Sequence, residues 1–195
     1  MSQSPNTFPS NGTSEIGPES PNTQVRLAQM GDLPDLEKIL ALWIKDRDTG
    51  KALPDEVRGV LEAVEASVNG TNSRTYMIAT TNKGQVLGMM GMVEPDAEMR
   101  VHARTARPVE LINAYVDPQQ RGTGAGKLLA QQLEALAIAR SYTELVVNSG
   151  PRYSDTGWPF WIRRFGQPLT IMKDFYGPGG DTPFWSKILS TEDNL

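Results

Sequence analysis

The chain contains no cysteine and a single histidine, His102, among 195 residues. It therefore has no disulfide framework, no thiolate metal site and no cysteine nucleophile. One histidine excludes a histidine-rich metal centre and argues against a serine–histidine triad. No apolar run reaches the length of a membrane-spanning helix. The N-terminal segment lacks both the basic and the apolar stretch of a secretory signal, so the expectation is a cytoplasmic protein with no membrane partner. Positive charge is also short: 19 Lys and Arg face 23 Asp and Glu, for a net charge of −4. That balance gives no electrostatic footprint for nucleic acid. What remains is 38% hydrophobic residues in a chain long enough to bury one real core.

Residues 1–23, MSQSPNTFPSNGTSEIGPESPNT, are rich in Ser, Pro, Asn and Thr, and only Met1, Phe8 and Ile16 are available for burial. So few apolar groups cannot offset the entropy of ordering, and a disordered tail is expected. The folded domain is expected over 24–190, with 191–195 as a C-terminal end. TQVRLAQ (23–29) alternates and reads as a strand. Asp32 is expected to cap a helix with Pro34 in its first turn and Leu36, Ile39, Leu40 and Trp43 on one face. Pro54 and Asp55 open a second helix, with Val57, Val60, Leu61, Val64 and Val68 at helical spacing, which stops at Asn69-Gly70. RTYMIATTNKGQVLGMMGMV (74–93) reads as two strands around a tight turn. Residues 95–108 read as a locally basic loop.

VELINAYV (109–116) is the next strand, followed by a glycine-rich turn and a helix with Leu129, Leu133 and Leu136 on one face. TELVVNS (143–149) is a short buried strand. WPFWIRRFG (158–166) reads as one or two helical turns, and LTIMKDFY and PFWSKIL as strands joined by GPGGDT. The order β-α-α-β-β-β-α-β-α-β-β implies a mixed α/β fold, largely antiparallel at first, with a βαβ unit near the middle.

The turn between that strand and helix is QQRGTGAGKLL (119–129). Glycine-rich turns that open helices commonly hold a phosphate. A Walker A loop is broken here, because Arg121 stands at its first glycine and Leu128 at the hydroxyl that would hold Mg²⁺. A nucleotide hydrolase is disfavoured accordingly. The dinucleotide pattern Gly-x-Gly-x-x-Gly fails from Gly122, where it lands on Lys127, and from Gly124, where it lands on Leu129. Arg121-Gly122-Thr123-Gly124-Ala125-Gly126 does satisfy Arg/Gln-x-x-Gly-x-Gly/Ala between a strand and a helix. In that arrangement the N–H groups of 121–126 point inward, the helix dipole adds its positive end, and Arg121 and Lys127 can pair outer oxygens. A tight turn without a ligand is the competing reading of the hexapeptide alone.

YVDPQQRGTGAGKLL resembles the pyrophosphate-binding strand, loop and helix of the GNAT superfamily of N-acetyltransferases. The resemblance covers about residues 24–190 in element order and is specific over about 109–166. It implies the acyl-CoA N-acyltransferase fold: a mixed, mostly antiparallel central sheet splayed between strands 4 and 5, with flanking helices. It implies acetyl-CoA as co-substrate, no metal, and a primary amine acceptor, either a small molecule or a peptide. A homodimer is left open. Asn113, Ala114, Tyr115 and Val116 would pair with the pantetheine arm. Asn148 matches a pantetheine-contacting Asn, or else caps the turn at Ser149-Gly150-Pro151.

The implied reaction is direct attack of the amine on the thioester in a ternary complex. Freeing the lone pair of an alkylamine of pKa near 10.4 at pH 7 costs roughly 4.6 kcal/mol. Asn113 stands where the family often has a glutamate. Glu110 is the nearest carboxylate, on the opposite face from Asn113 unless a bulge intervenes; the alternative is a solvated glutamate at a strand start. Trp161 replaces the tyrosine that in the family protonates the thiolate. Tyr153, on the loop after the fifth strand, is the preferred acid, with Tyr176, read on the sixth strand, as the alternative. Trp158, Phe160 and Trp161 are expected to pack the short helix onto the sheet. His102 and the basic loop 100–107 either line a pocket for an acidic acceptor or are solvated. GPGGD (177–181) is expected to border the acceptor site. The rival to an enzyme is a non-catalytic acyl-CoA-binding module of the same fold.

Overall fold

The computed structural model describes residues 23–190. Residues 1–22 of the expected tail, and 191–195, lie outside the described residues. Thr23 already belongs to the sheet, where it faces Thr81.

Seven strands form one sheet: β1 (Thr23–Leu27), β2 (Thr75–Thr81), β3 (Val86–Val93), β4 (Pro108–Val116), β5 (Glu144–Asn148), β6 (Thr170–Met172) and β7 (Thr182–Ile188), in the spatial order β1-β2-β3-β4-β5-β7-β6. Every neighbouring pair is antiparallel except β4 and β5, which are parallel. The helices are α1 (Leu33–Trp43), α2 (Pro54–Val68), α3 (Ala97–Arg100), α4 (Ala125–Ala139) and α5 (Gly157–Phe165). The connection β4-α4-β5 is the expected βαβ unit.

The apolar stripes meet the sheet on both faces. Leu36, Ile39 and Leu40 of α1 and Val57 and Val64 of α2 pack on Tyr76, Ile78, Met89 and Tyr115. Leu129, Ala130 and Leu133 of α4 and Trp161 of α5 pack on Ala79, Met90, Leu145 and Trp185. Central β3 is covered from both sides, which is why its sequence, VLGMMGMV, is apolar almost throughout. Each fully buried Leu or Met contributes about 1.5–3 kcal/mol.

Three local expectations are corrected. Asp32 does not cap α1 with its side chain; the carboxylate accepts from Arg26 at 2.6 and 2.8 Å and from the Gln29 N–H at 2.8 Å, tying β1 to the start of α1. The 95–108 segment is not all loop. Asp96 accepts from the Met99 N–H at 2.9 Å and starts the single turn α3, which buries Met99. Finally, β6 ends at Met172, so Tyr176 lies on a turn rather than a strand. Asp174 adopts φ +51° and its carboxylate accepts from Gly179 N–H at 2.6 Å, folding 173–181 back on itself.

The sheet opens where the site lies. β4 and β5 stay paired over Pro108↔Glu144, Val109↔Leu145 and Glu110↔Val146 only, while β5 continues alongside β7. Against β3, the register of β4 runs Gly91↔Ile112 and then Met89↔Tyr115. Asn113 and Ala114 therefore stand opposite one residue, and Asn113 takes φ +50°. Such a bulge sharpens the local twist and turns the strand from its neighbour. Gly88 permits it: a Cβ there would sit 2.5 Å from the Tyr115 carbonyl oxygen.

Candidate active site

The splay between β4 and β5 widens into a cleft of about 1390 Å³. At one end is the glycine turn. Asp117 bends the chain after β4 by accepting from the Gln119 N–H at 2.8 Å. Gly122 and Gly124 adopt φ +81° and +88°, a left-handed conformation that side chains with a Cβ resist. Among the described residues, the N–H groups of Gly122, Gly124, Ala125, Gly126 and Lys127 have no protein acceptor. They are the orphan donors of the α4 N-terminus and its approach. The expected unbroken run of inward donors over 121–126 is corrected at two places: Arg121 N–H bonds the Pro118 carbonyl and Thr123 N–H that of Gln120, each at 3.4 Å. These donors turn inward on the preceding 3₁₀ turn instead.

Arg121 and Lys127 both line the cleft. The Arg121 guanidinium lies 4.5 Å from the Trp43 ring centroid, and the Trp43 indole N–H donates to the Val116 carbonyl at 2.8 Å. Trp43 thus joins α1, the end of β4 and the loop. The helical pattern places it only on the core face of α1, so sequence reasoning missed this role.

Deeper in the cleft, Asn113, Ala114, Tyr115 and Val116 form the β4 wall. The Asn113 amide oxygen accepts from the Tyr76 hydroxyl at 3.0 Å. The Tyr115 side chain is buried against α1 and α2, and its hydroxyl lies 3.1 Å from that of Tyr153. Tyr153, in the 3₁₀ turn Pro151–Tyr153, also sets its ring edge-on to Trp43. Burial pushes the Tyr153 phenol above its ordinary pKa, and its bond to Tyr115 and the neighbouring Arg152 charge oppose this only in part.

Glu110 lines the same cleft and is not a solvated strand-start residue. Its Oε1 accepts from Asn148 Nδ2 at 3.2 Å. Burial, reinforced by the charge of Asp96 and opposed by Arg74, pushes its carboxyl up to about 7. The bulge does not fall between Glu110 and Asn113; it is formed by Asn113 and Ala114, and the left-handed φ of Asn113 takes that residue out of the strand's alternation. Asn148 does not cap the following turn with its side chain. It bridges, donating to Glu110 and to Met99 Sδ and accepting from the Tyr176 hydroxyl at 2.6 Å. Although the Tyr176 side chain is more than half exposed, desolvation of its hydroxyl and the nearby Glu110 charge push its phenol above the ordinary value.

Trp161 is 3% exposed, stacked on Phe165 and edge-on to Phe160, so it packs α5 onto the sheet as expected. Trp158 donates from its indole to the Ser149 carbonyl. Pro178, Gly179 and Gly180 border the cleft, as the turn at 177–181 suggested. The basic loop 100–107 does not. His102 packs on Phe184, and the N–H groups of Arg104 and Thr105 donate at 2.8–3.1 Å to the fully buried Glu144 carboxylate at the start of β5. That anchor holds the loop at the paired end of β4 and β5, away from the splay. Arg74, Glu56 and Arg152, which no motif singled out, do line the cleft, and Arg152 pairs with Glu56 at 3.0 Å. Among the described residues no group of three or more His, Asp or Glu side chains is placed to hold a metal ion, and no helix is long and apolar enough to cross a membrane.

This architecture recurs in solved structures. An acetyltransferase of the GNAT family from Desulfovibrio desulfuricans superposes with a TM-score of 0.68 at 17% identity, covering 86% of this chain and 99% of its own. An aminoglycoside 6'-acetyltransferase type Ii gives 0.64 at 15% identity, over 86% and 97% of the two chains. A phosphinothricin acetyltransferase from Sinorhizobium meliloti, in complex with AcCoA, gives 0.64 at 21% identity, over 86% and 89%. At these identities the likeness concerns the fold. No curated protein matches the sequence significantly. The family model for the acetyltransferase (GNAT) family matches residues 39–163, which span the cleft from α1 through α5. The chain therefore belongs to the GNAT family of acetyltransferases.

Proposed function

We propose that the protein transfers the acetyl group of acetyl-CoA to a primary amine by direct attack within a ternary complex. The observation that carries this reading is the set of free N–H groups at Gly122, Gly124, Ala125, Gly126 and Lys127, which open onto a cleft made by the separation of β4 from β5. These donors, the α4 dipole and the cations of Arg121 and Lys127 suit a diphosphate. The wall from Asn113 to Val116 suits the pantetheine arm, with Asn148 across from it on β5. Acetyl-CoA supplies the activated acetyl thioester; everything else the reaction needs is asked of this chain.

Glu110 takes the proton of the attacking amine. A carboxylate of pKa about 7 is half ionised at neutral pH. Drawing a proton from an alkylammonium of pKa 10.4 then costs about 4.6 kcal/mol, against about 8 for a glutamate at its ordinary value. Tyr153 stabilises the departing sulfur. Its raised pKa keeps it protonated, but full transfer to a thiolate whose thiol has a pKa near 8.5 is uphill by about 2 kcal/mol or more. Tyr153 therefore acts chiefly by donating a hydrogen bond. Tyr176 is the second reading for this role, because its hydroxyl reaches Asn148 and through it Glu110.

The test is release of free CoA from acetyl-CoA in the presence of a panel of primary amines, with the acetylated amine identified by mass. Acetylation of at least one amine is expected. Binding of acetyl-CoA without acetylation of any amine favours the binding module, with Trp161 in place of the family's tyrosine as its sequence correlate.

A further inference from the structure

Arg74, the residue before β2, lines the cleft. Its Nη1 lies 3.5 Å from the Tyr76 hydroxyl, which in turn donates to Asn113 at the bulge. Two arginines of the cleft are neutralised, Arg152 by Glu56 and Arg164 by Glu134, whereas Arg47, Arg121 and Arg163 are not paired with a carboxylate among the described residues. Arg74 has no carboxylate partner among the described residues. It nevertheless lies within electrostatic reach of Glu110. The phosphate-binding features, Arg121, Lys127 and the free N–H groups, are gathered at the far end of β4. The Arg74 guanidinium, on the Glu110 side of the cleft, is thus not needed for a diphosphate.

We infer that Arg74 binds a carboxylate carried by the acceptor, so that the substrates of this site are amines that also bear an acid group. The inference rests on the acetyl-transfer reading. A planar guanidinium presents paired donors that match a carboxylate. Holding the acid group there leaves the amine on the side of Glu110. The carboxylates that would attract a polycationic acceptor are poorly placed to compete. Glu56 is occupied by Arg152, and Asp48 and Asp155 are exposed, as Arg74 and Arg47 are, so water and salt screen both signs there until an acceptor covers them. Arg47, also at the cleft and without an ion-pair partner among the described residues, adds to the repulsion of a second positive charge.

The experiment compares acetylation of amino acids whose amine is several methylenes from the acid group with that of their carboxamides, a spacing that keeps the amine pKa nearly the same in both, by the wild type, Arg74→Met and Arg74→Lys. The wild type is expected to favour the acid by roughly 3–10-fold in kcat/KM, between the range for an exposed ion pair and that for a covered hydrogen bond to a charged group, since Arg74 is exposed until an acceptor covers it. Arg74→Met should bring that ratio towards one, mainly through KM, and Arg74→Lys should restore part of it. The ratio is the readout because removing the Arg74 charge alters Glu110 equally for both acceptors. Equal wild-type rates, a preference for the carboxamide, a ratio that survives in Arg74→Met, or no acetylation of any acid-bearing amine would each overturn the inference. Titration of each variant with acetyl-CoA runs alongside. If acetyl-CoA fails to bind the wild type, the acetyl-transfer reading falls first; if it binds and the ratio is absent, only the acceptor assignment falls.

Discussion

Replacing Glu110 by Gln should stabilise the folded protein while removing its activity, and the size of the gain should depend on pH. The glutamate is held in a partly buried site that raises its carboxyl from 4.5 to about 7. For an acid with a raised folded-state pKa, the ionised form is the one that folding disfavours. The penalty is absent well below 4.5, grows as pH rises between 4.5 and 7, and is constant above. With those two values it amounts to about 3 kcal/mol at pH 8 and about 1 kcal/mol at pH 5. Gln keeps the oxygen that accepts from Asn148 at 3.2 Å and removes the charge. At about 2–4 °C per kcal/mol for a domain of this size, Glu110→Gln should melt roughly 6–12 °C higher than wild type at pH 8, and only about 2–4 °C higher at pH 5. Thermal unfolding followed by circular dichroism at both pH values measures this. On the same protein, kcat should fall about 10²–10⁴-fold with the best acceptor. The rise of wild-type kcat/KM to a plateau above about pH 7 should disappear. A gain over wild type no larger at pH 8 than at pH 5, or a variant that keeps its turnover, would refute the reasoning about Glu110.

Tyr153→Phe should lower kcat about 100-fold or more with little change in acetyl-CoA affinity, since its hydroxyl acts on the departing sulfur; a silent Tyr153→Phe beside an impaired Tyr176→Phe would move that role to the turn after β6. Trp43→Phe loses the indole bond to Val116 and weakens the platform under Arg121, so CoA affinity measured by calorimetry should fall about 2–5-fold; unchanged affinity would show that Arg121 is placed without it. Removal of residues 1–22, whose composition offers almost nothing to bury, should leave the melting temperature and acetyl-CoA affinity unchanged; a loss of several degrees would contradict that.

The β4-α4-β5 unit was legible because its signals agree. An apolar strand, a turn carrying Gly122 and Gly124, and leucines at helical spacing all require the same chain path. The bulge was implied by the family resemblance but was not legible in the residues themselves. ELINAYV reads as an unbroken strand, and nothing in it reveals that Asn113 takes a left-handed conformation. The face of Glu110 could not be decided without that bulge, and its raised pKa depends on burial and on Asp96, a residue from another element. The end of β6 was only faintly marked: in LTIMKDFY, Lys173 and Asp174 disfavour a strand but sit between strand-forming residues, and it is the Asp174 carboxylate, bonding backbone five residues ahead, that ends the strand. The basic loop 100–107 suggested a binding surface, yet the buried Glu144 that fixes it lies forty residues on in sequence. Arg74 carries no motif, and only its place beside Tyr76 and Asn113 brings it into the cleft.

The claim that the glycine turn at the head of α4 holds the diphosphate of acetyl-CoA is tested most directly by calorimetric titration of acetyl-CoA into wild type and Gly124→Val. A Cβ at Gly124 meets no protein atom within 4 Å, so the side chain enters the open space before the free N–H groups, at a residue whose φ of +88° disfavours valine. Saturable binding to the wild type, and its loss in a Gly124→Val protein that retains its circular dichroism spectrum, is the predicted result. No binding to the wild type at millimolar acetyl-CoA, or equal binding to both proteins, would contradict it.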